Sequence, residues 1–143
     1  MRYKLLLIAF IFFGYFHQTF SQSKDLSTIN SLKDSFQKIS DKKKKVDLLN
    51  QLGYEFRKIG LKDSSLLYTD RASELIDQLH YPQGEISATL NYAITYRELR
   101  KYPKAREYSQ ALIRLCEVEK DSIRLGDAYD NLAHIIFRRR RFA

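Results

Sequence analysis

Apolar residues return every three or four positions along most of this chain, the spacing of one buried stripe on a helix. Leu26, Ile29, Leu32, Phe36 and Ile39 form the first stripe, and DKKKK, residues 41–45, separates it from the next. Val46, Leu49, Leu52, Gly53 and Phe56 predict a second helix that ends near IGLKD, where Gly60 suits a left-handed C-terminal cap. Asp63, followed by Ser64 and Ser65, then reads as an N-cap. The following helix carries Leu66, Leu67, Ala72, Leu75, Ile76 and Leu79, and stops at HYPQG because Pro82 disfavours helical geometry at Tyr81. Ile86, Leu90, Ala93, Ile94 and Tyr96 mark another helix, broken at RKYPK, with Pro103 suited to the first turn of its successor. That successor holds Ala105, Tyr108, Leu112, Leu115 and Cys116. Asp121 or Ser122 would cap a last helix striped by Leu125, Tyr129, Leu132, Ala133 and Ile136. No strand-like alternation competes, so the pattern predicts an all-α fold of antiparallel helix hairpins.

One motif recurs within this pattern. LLNQLGYEF (48–56), ATLNYAITY (88–96) and AYDNLAHII (128–136) align on Gly53, Ala93 and Ala133, each 40 residues from the next (93 − 53 and 133 − 93). Leu52, Tyr92 and Leu132 precede the small residue, and Phe56, Tyr96 and Ile136 follow it by three. Two helices approach closely only where one lacks bulk, so the small residue marks a crossing and the large ones fill the space beside it. Ser65 and Ala105 would face the gap from the second helix of each pair. On this reading Ala is tolerated at Gly53 and even favoured by helix propensity, while Leu overpacks the crossing.

The motif resembles the tetratricopeptide repeat (TPR), whose first helix carries W-x₂-L-G-x₂-Y and whose second carries A-x₃-F. Leu49, Leu52, Gly53 and Phe56 take the first-helix places, as do Thr89, Tyr92, Ala93 and Tyr96, then Tyr129, Leu132, Ala133 and Ile136. Ser65 and Ala105 take the first small place of the second helices, and Ala72 the later one. The later place in the second repeat is Leu112, the closing Pro is missing, and the period is 40 instead of 34. Longer second helices would absorb the difference. The resemblance implies a short right-handed α-solenoid over residues 44–143, divided as 44–82, 83–121 and an incomplete 122–143, with an N-terminal helix in 22–43 packed on it. Such arrays are binding scaffolds with a concave face lined mainly by first helices. By helical phase that face carries Asn50, Tyr54, Arg57 and Lys58, then Leu90, Ile94, Arg97 and Glu98, then Asp127, Asp130, His134 and Arg138. This mixture suits an extended peptide. Similar longer-period arrays form sensory regions of exported bacterial signalling proteins.

The ends and the composition add a compartment. MRYK, the uncharged run LLLIAFIFFGYF (5–16) and the small residues Thr19 and Ser21 form a secretory signal peptide, 1–21, with cleavage after Ser21. Its 12-residue apolar run is short of the roughly 17–25 residues that span a bilayer, so the mature chain is expected to have no stable membrane span and to be periplasmic. The whole chain carries +8; the mature part carries +6 (23 Lys and Arg against 17 Asp and Glu), which favours acidic partners. Nucleic acid is not the expected ligand in that compartment. The single cysteine, Cys116, excludes an internal disulfide and reads as a buried hydrophobe. No metal-ligand spacing or phosphate loop occurs, so neither catalysis nor a cofactor is expected. Arg138–Arg141 offers an anionic site, but four adjacent residues spread around a helix and do not converge. Two other readings stay open: the sensory part of a membrane signalling protein, and a cytoplasmic nucleic-acid-binding protein if the leader is retained. At the C-terminus, Ile135, Ile136 and Phe137 stand together without a following helix, which predicts either a homodimer through 125–142 or fraying there.

Overall fold

A computed structural model describes residues 25–141, with side chains as far as Phe137. The expected leader, 1–21, and the first residues of the 22–43 segment lie outside the described residues. Six helices and no strand occur among those described: α1 (25–38), α2 (Lys42–Lys58), α3 (Lys62–Ile76), α4 (Pro82–Glu98), α5 (Tyr102–Glu119) and α6 (Ser122–Arg141).

Local chemistry sets most boundaries. Asp41 Oδ1 accepts from Lys44 N at 3.0 Å to cap α2, and Asp121 Oδ1 accepts from Arg124 N at 3.0 Å to cap α6. Pro82 and Pro103 stand in the first turns of α4 and α5, where a missing N–H forfeits no bond. Asp63 is not the cap of α3. That helix begins one residue earlier, its cap position is Leu61 with no side-chain bond, and Asp63 sits in the first turn, where a carboxylate favours the positive helix end. Gly60 does adopt the left-handed cap, with φ 87°, and Arg100, 40 residues later, adopts the same turn at φ 59°. The N–H groups of Gly60 and Leu61 donate to Arg57 and Phe56 carbonyls, and those of Arg100 and Lys101 to Arg97 and Tyr96. The expected lengthening of second helices holds for α5, with 18 residues, but not for α3, with 15; there the connection 77–81 takes up the length.

Successive helices run antiparallel. Phe56 of α2 stacks on Tyr68 of α3 near their turn, while Val46 and Leu49 meet Ala72 and Ile76 at the far end. In α4 and α5, Tyr96 stacks on Tyr108 and Ile86 and Leu90 meet Leu112 and Cys116. Ser65 Oγ pairs with Thr95 Oγ1 at 3.1 Å between α3 and α4, and Asn131 Nδ2 donates to Ser109 Oγ at 2.7 Å between α5 and α6. On the outer side of α2, Ile29 and Leu32 of α1 pack over Leu52 and Phe56.

The 40-residue period extends through the packing. Ser65, Thr69, Ala72 and Ile76 are the buried positions of α3, and Ala105, Ser109, Leu112 and Cys116, each 40 later, are those of α5. Val46, Leu49, Leu52 and Gly53 in α2 correspond to buried Ile86, Thr89, Tyr92 and Ala93 in α4. α4 shows only a weak sequence stripe because neighbours cover it on several sides. α6 departs from the expected stripe. It buries Ala128, Asn131 and Ile135, whereas Leu132 is half-buried and Ala133, Tyr129 and Ile136 are exposed. Its inner face meets α5 and α4, and no described helix covers the other.

Gly53 stands at the α2–α3 crossing, but its environment reverses one expectation. A Cβ there would fall 2.7 Å from Thr69 Oγ1 and 3.3 Å from the Ser65 carbonyl, so even Ala requires a shift.

Candidate binding groove

The first helices of the two hairpins, α2 and α4, and α6 beside them border a groove of about 470 Å³, within the size range of ligand clefts. α2 and α4 lie side by side because Gly84 lacks a side chain. A Cβ there would fall 2.5 Å from the Tyr81 ring and 2.7 Å from Val46 Cγ1. The close approach lets Asn50 Nδ2 donate to the Gly84 carbonyl at 3.0 Å and Asn91 Nδ2 donate to the Asn50 carbonyl at 2.9 Å. Asn50, Asn91 and Asn131 are therefore all buried along the floor (5, 6 and 2% exposed). Two of these amides are only partly satisfied: among the described residues, Asn50 Oδ1 and Asn131 Oδ1 are buried without a hydrogen-bond partner, as is Arg57 Nε beside them. A buried polar group left unpaired costs about 1–3 kcal/mol. Beneath the groove floor the chain thus leaves hydrogen-bonding capacity that it does not itself use.

The walls are mixed. Tyr54 is exposed with the Arg57 guanidinium 5.2 Å from its ring centre, Leu90 and Ile94 supply apolar surface, and Asp127 and Asp130 face them from α6. Most charges are already paired. Arg57 bonds Glu98 at 3.2 Å, Glu98 also binds Lys62, Arg124 is 3.8 Å from Asp127, and His134 is 3.6 Å from Asp130. Arg97 has no ion pair among the described residues, and it lines both the groove and an adjoining depression with Arg57, Lys58, Lys62, Glu98, Arg100 and His134. Lys58 Nζ donates to Glu55 and to Asp25, and these bonds, the Glu55 one first, raise the Lys58 pKa and hold it charged. The end of the groove toward the hairpin turns is therefore cationic, and the α6 wall is acidic.

Of the residues expected on the concave face, Asn50, Tyr54, Arg57, Leu90, Ile94, Arg97, Asp127 and Asp130 line the groove. Lys58, Glu98 and His134 line the adjoining depression instead. The Arg138 side chain lies outside the described residues. Asp47, Gln51, Ser87, Asn91, Arg124 and Asn131 line the groove as well, beyond the residues expected from helical phase. Three of these carried a visible signal: Gln51, Asn91 and Asn131 are 40 apart, and each stands two residues before Gly53, Ala93 or Ala133.

A second depression, of about 420 Å³, opens between the end of α3, the start of α4 and α5. Tyr92, Tyr96 and Tyr108 stack beside it, with Tyr92 and Tyr108 centroids 4.7 Å apart, and Tyr92 donates to Asp70 at 2.6 Å. Burial, then the Asp70 bond, pushes the Tyr92 pKa well up, and burial with the Asp47 bond pushes Tyr81 to about 12. Cys116 lies in the α4–α5–α6 core, away from both depressions, with its thiol pKa raised by burial. Among the described residues no helix is long and apolar enough to cross a membrane, and no group of His, Cys, Asp and Glu could hold a metal. Comparison with protein-family models, with curated proteins and with solved structures finds no match.

Proposed function

We propose that this chain is a non-enzymatic, TPR-like α-solenoid scaffold that binds an extended polypeptide along the α2–α4–α6 groove. The row of amide side chains on the groove floor, with unpaired Asn50 Oδ1 and Asn131 Oδ1, carries the reading. Packed helices sit about 8–10 Å apart, and an extended chain advances about 3.3 Å per residue. Each groove helix therefore serves about three ligand residues, and side-chain amides match the alternating donors and acceptors of a peptide backbone. Leu90, Ile94 and Tyr54 supply contact area, and Arg97, without an ion pair among the described residues, favours an acidic side chain at that end. The leader pattern of residues 1–21 supports a periplasmic scaffold, with a sensory role in a larger signalling protein as the second reading.

The test is an array of extended peptides, acidic and neutral, followed by fluorescence anisotropy on the hits. Ile94→Glu and Arg97→Ala should each weaken binding at least tenfold without changing the helical circular dichroism. Binding that is indifferent to both substitutions would refute the groove, and intact mass of the exported protein beginning at Met1 would refute the compartment.

A further inference from the structure

The depression of about 420 Å³ beside the tyrosine stack shares no lining residue with the groove. α3 stops at Ile76, three residues short of the length of α5 (18 − 15), and the connection 77–81 borders the space that is left. Apart from His80, the ionisable lining is acidic or phenolic, with no lysine or arginine. Its carboxylates, Asp77 and Glu85, have no ion pair among the described residues. Asp77 is also misplaced for its own helix. It stands at the C-cap of α3, the negative end of the helix dipole, where a cation is favoured, and the last turn of α3 holds no basic residue. Thr89 gives an independent sign. It lines the depression, is 8% exposed, and its hydroxyl has no hydrogen-bond partner among the described residues. Such a group is unfavourable where it stands unless something else bonds it. Forty residues earlier the same position is Leu49, which packs with Ala72 and Ile76, and the counterpart of Tyr92 is Leu52. The second repeat thus carries hydroxyls where the first is filled with leucine.

We propose that this depression binds a small organic ammonium ion with an apolar body. Asp77 and Glu85 supply the charge it needs, and the α3 C-terminus adds to their field. The Thr89 hydroxyl accepts a hydrogen bond from the ammonium. Ile76, Tyr92 and Tyr108 offer the surface for the apolar part. The volume lies within the range of small-molecule clefts. An anion would meet two unpaired carboxylates, and a neutral ligand would leave them and the helix end as they are. The site is separate from the peptide groove and does not depend on it.

The test is a chemical-shift titration of the ¹⁵N-labelled full chain with three probes of one shape. 2-Phenylethylammonium should bind saturably and shift the amides of Asp77, Glu85 and Thr89. Neutral 2-phenylethanol, and trimethyl(2-phenylethyl)ammonium, which has the charge but no N–H, should each bind at least tenfold more weakly. Asp77→Asn with Glu85→Gln should weaken the amine at least tenfold. Thr89→Val should weaken it at least threefold while leaving the helical circular dichroism unchanged and the urea midpoint equal or higher, which a purely structural threonine would not do. No saturable binding of the amine overturns the proposal. So does equal affinity for the alcohol or the trimethylated probe, or a carboxylate double variant that binds as the parent does.

Discussion

Gly53 is the sharpest test of the packing. Its helix should gain from Ala, because Ala exceeds Gly by about 1 kcal/mol in a helix interior. The α2–α3 crossing opposes that gain. The added Cβ would stand 2.7 Å from Thr69 Oγ1, and that hydroxyl is held by a 2.8 Å bond to the Ser65 carbonyl. Either the hydroxyl leaves its bond or the helices separate, and overpacking of this kind costs about 1–3 kcal/mol. The two effects leave Gly53→Ala neutral to about 2 kcal/mol destabilising. Thr69→Ala removes the obstructing atom, and the remaining neighbours, the Ser65 carbonyl at 3.3 Å and Asn91 Nδ2 at 3.4 Å, need to give only slightly. In that background the same Gly53→Ala change should stabilise. A double-mutant cycle by urea unfolding, followed by circular dichroism at one fixed concentration, should therefore give a coupling of about 1–3 kcal/mol. Additivity within about 0.5 kcal/mol, the value for sites that do not touch, would show that Gly53 is not at the crossing.

Arg100→Gly should stabilise by about 0.5–1 kcal/mol, because a left-handed φ of 59° strains any residue with a Cβ; an unchanged urea midpoint would contradict the shared turn with Gly60. Tyr81, Tyr92 and Tyr108 have pKa values raised in the folded state, so their contribution to stability is complete below pH of about 10 and is lost as pH rises toward about 12. Alkaline absorbance titration should show three late tyrosines, with Tyr81→Phe removing one, and ionisation of all the described tyrosines near the ordinary value would disprove their burial. Cys116 should react with a thiol reagent only after denaturation; fast labelling of the folded chain would place it outside the core.

Local structure was largely legible in the sequence. The helical stripes, the Asp121 cap, Pro103 at a helix start and the left-handed Gly60 all follow from chemistry acting within a few residues. Such signals need no partner, so they survive reading in one dimension. The 40-residue period was equally visible, and it placed most of the groove-lining residues on the correct helices. Tertiary structure decided the rest. Asn91 and Asn131 read as ordinary polar residues because a buried amide is justified only by partners 41 and 22 residues away, on other helices. Thr69 turned Gly53 from a tolerant position into a crowded one, and nothing in α2 announces it. On α6 the sequence offers two apolar faces, one through Ala128 and Ile135 and one through Ala133 and Ile136. Periodicity cannot choose between them, because burial belongs to the helix that arrives to cover a face, and α4 and α5 reach only the first.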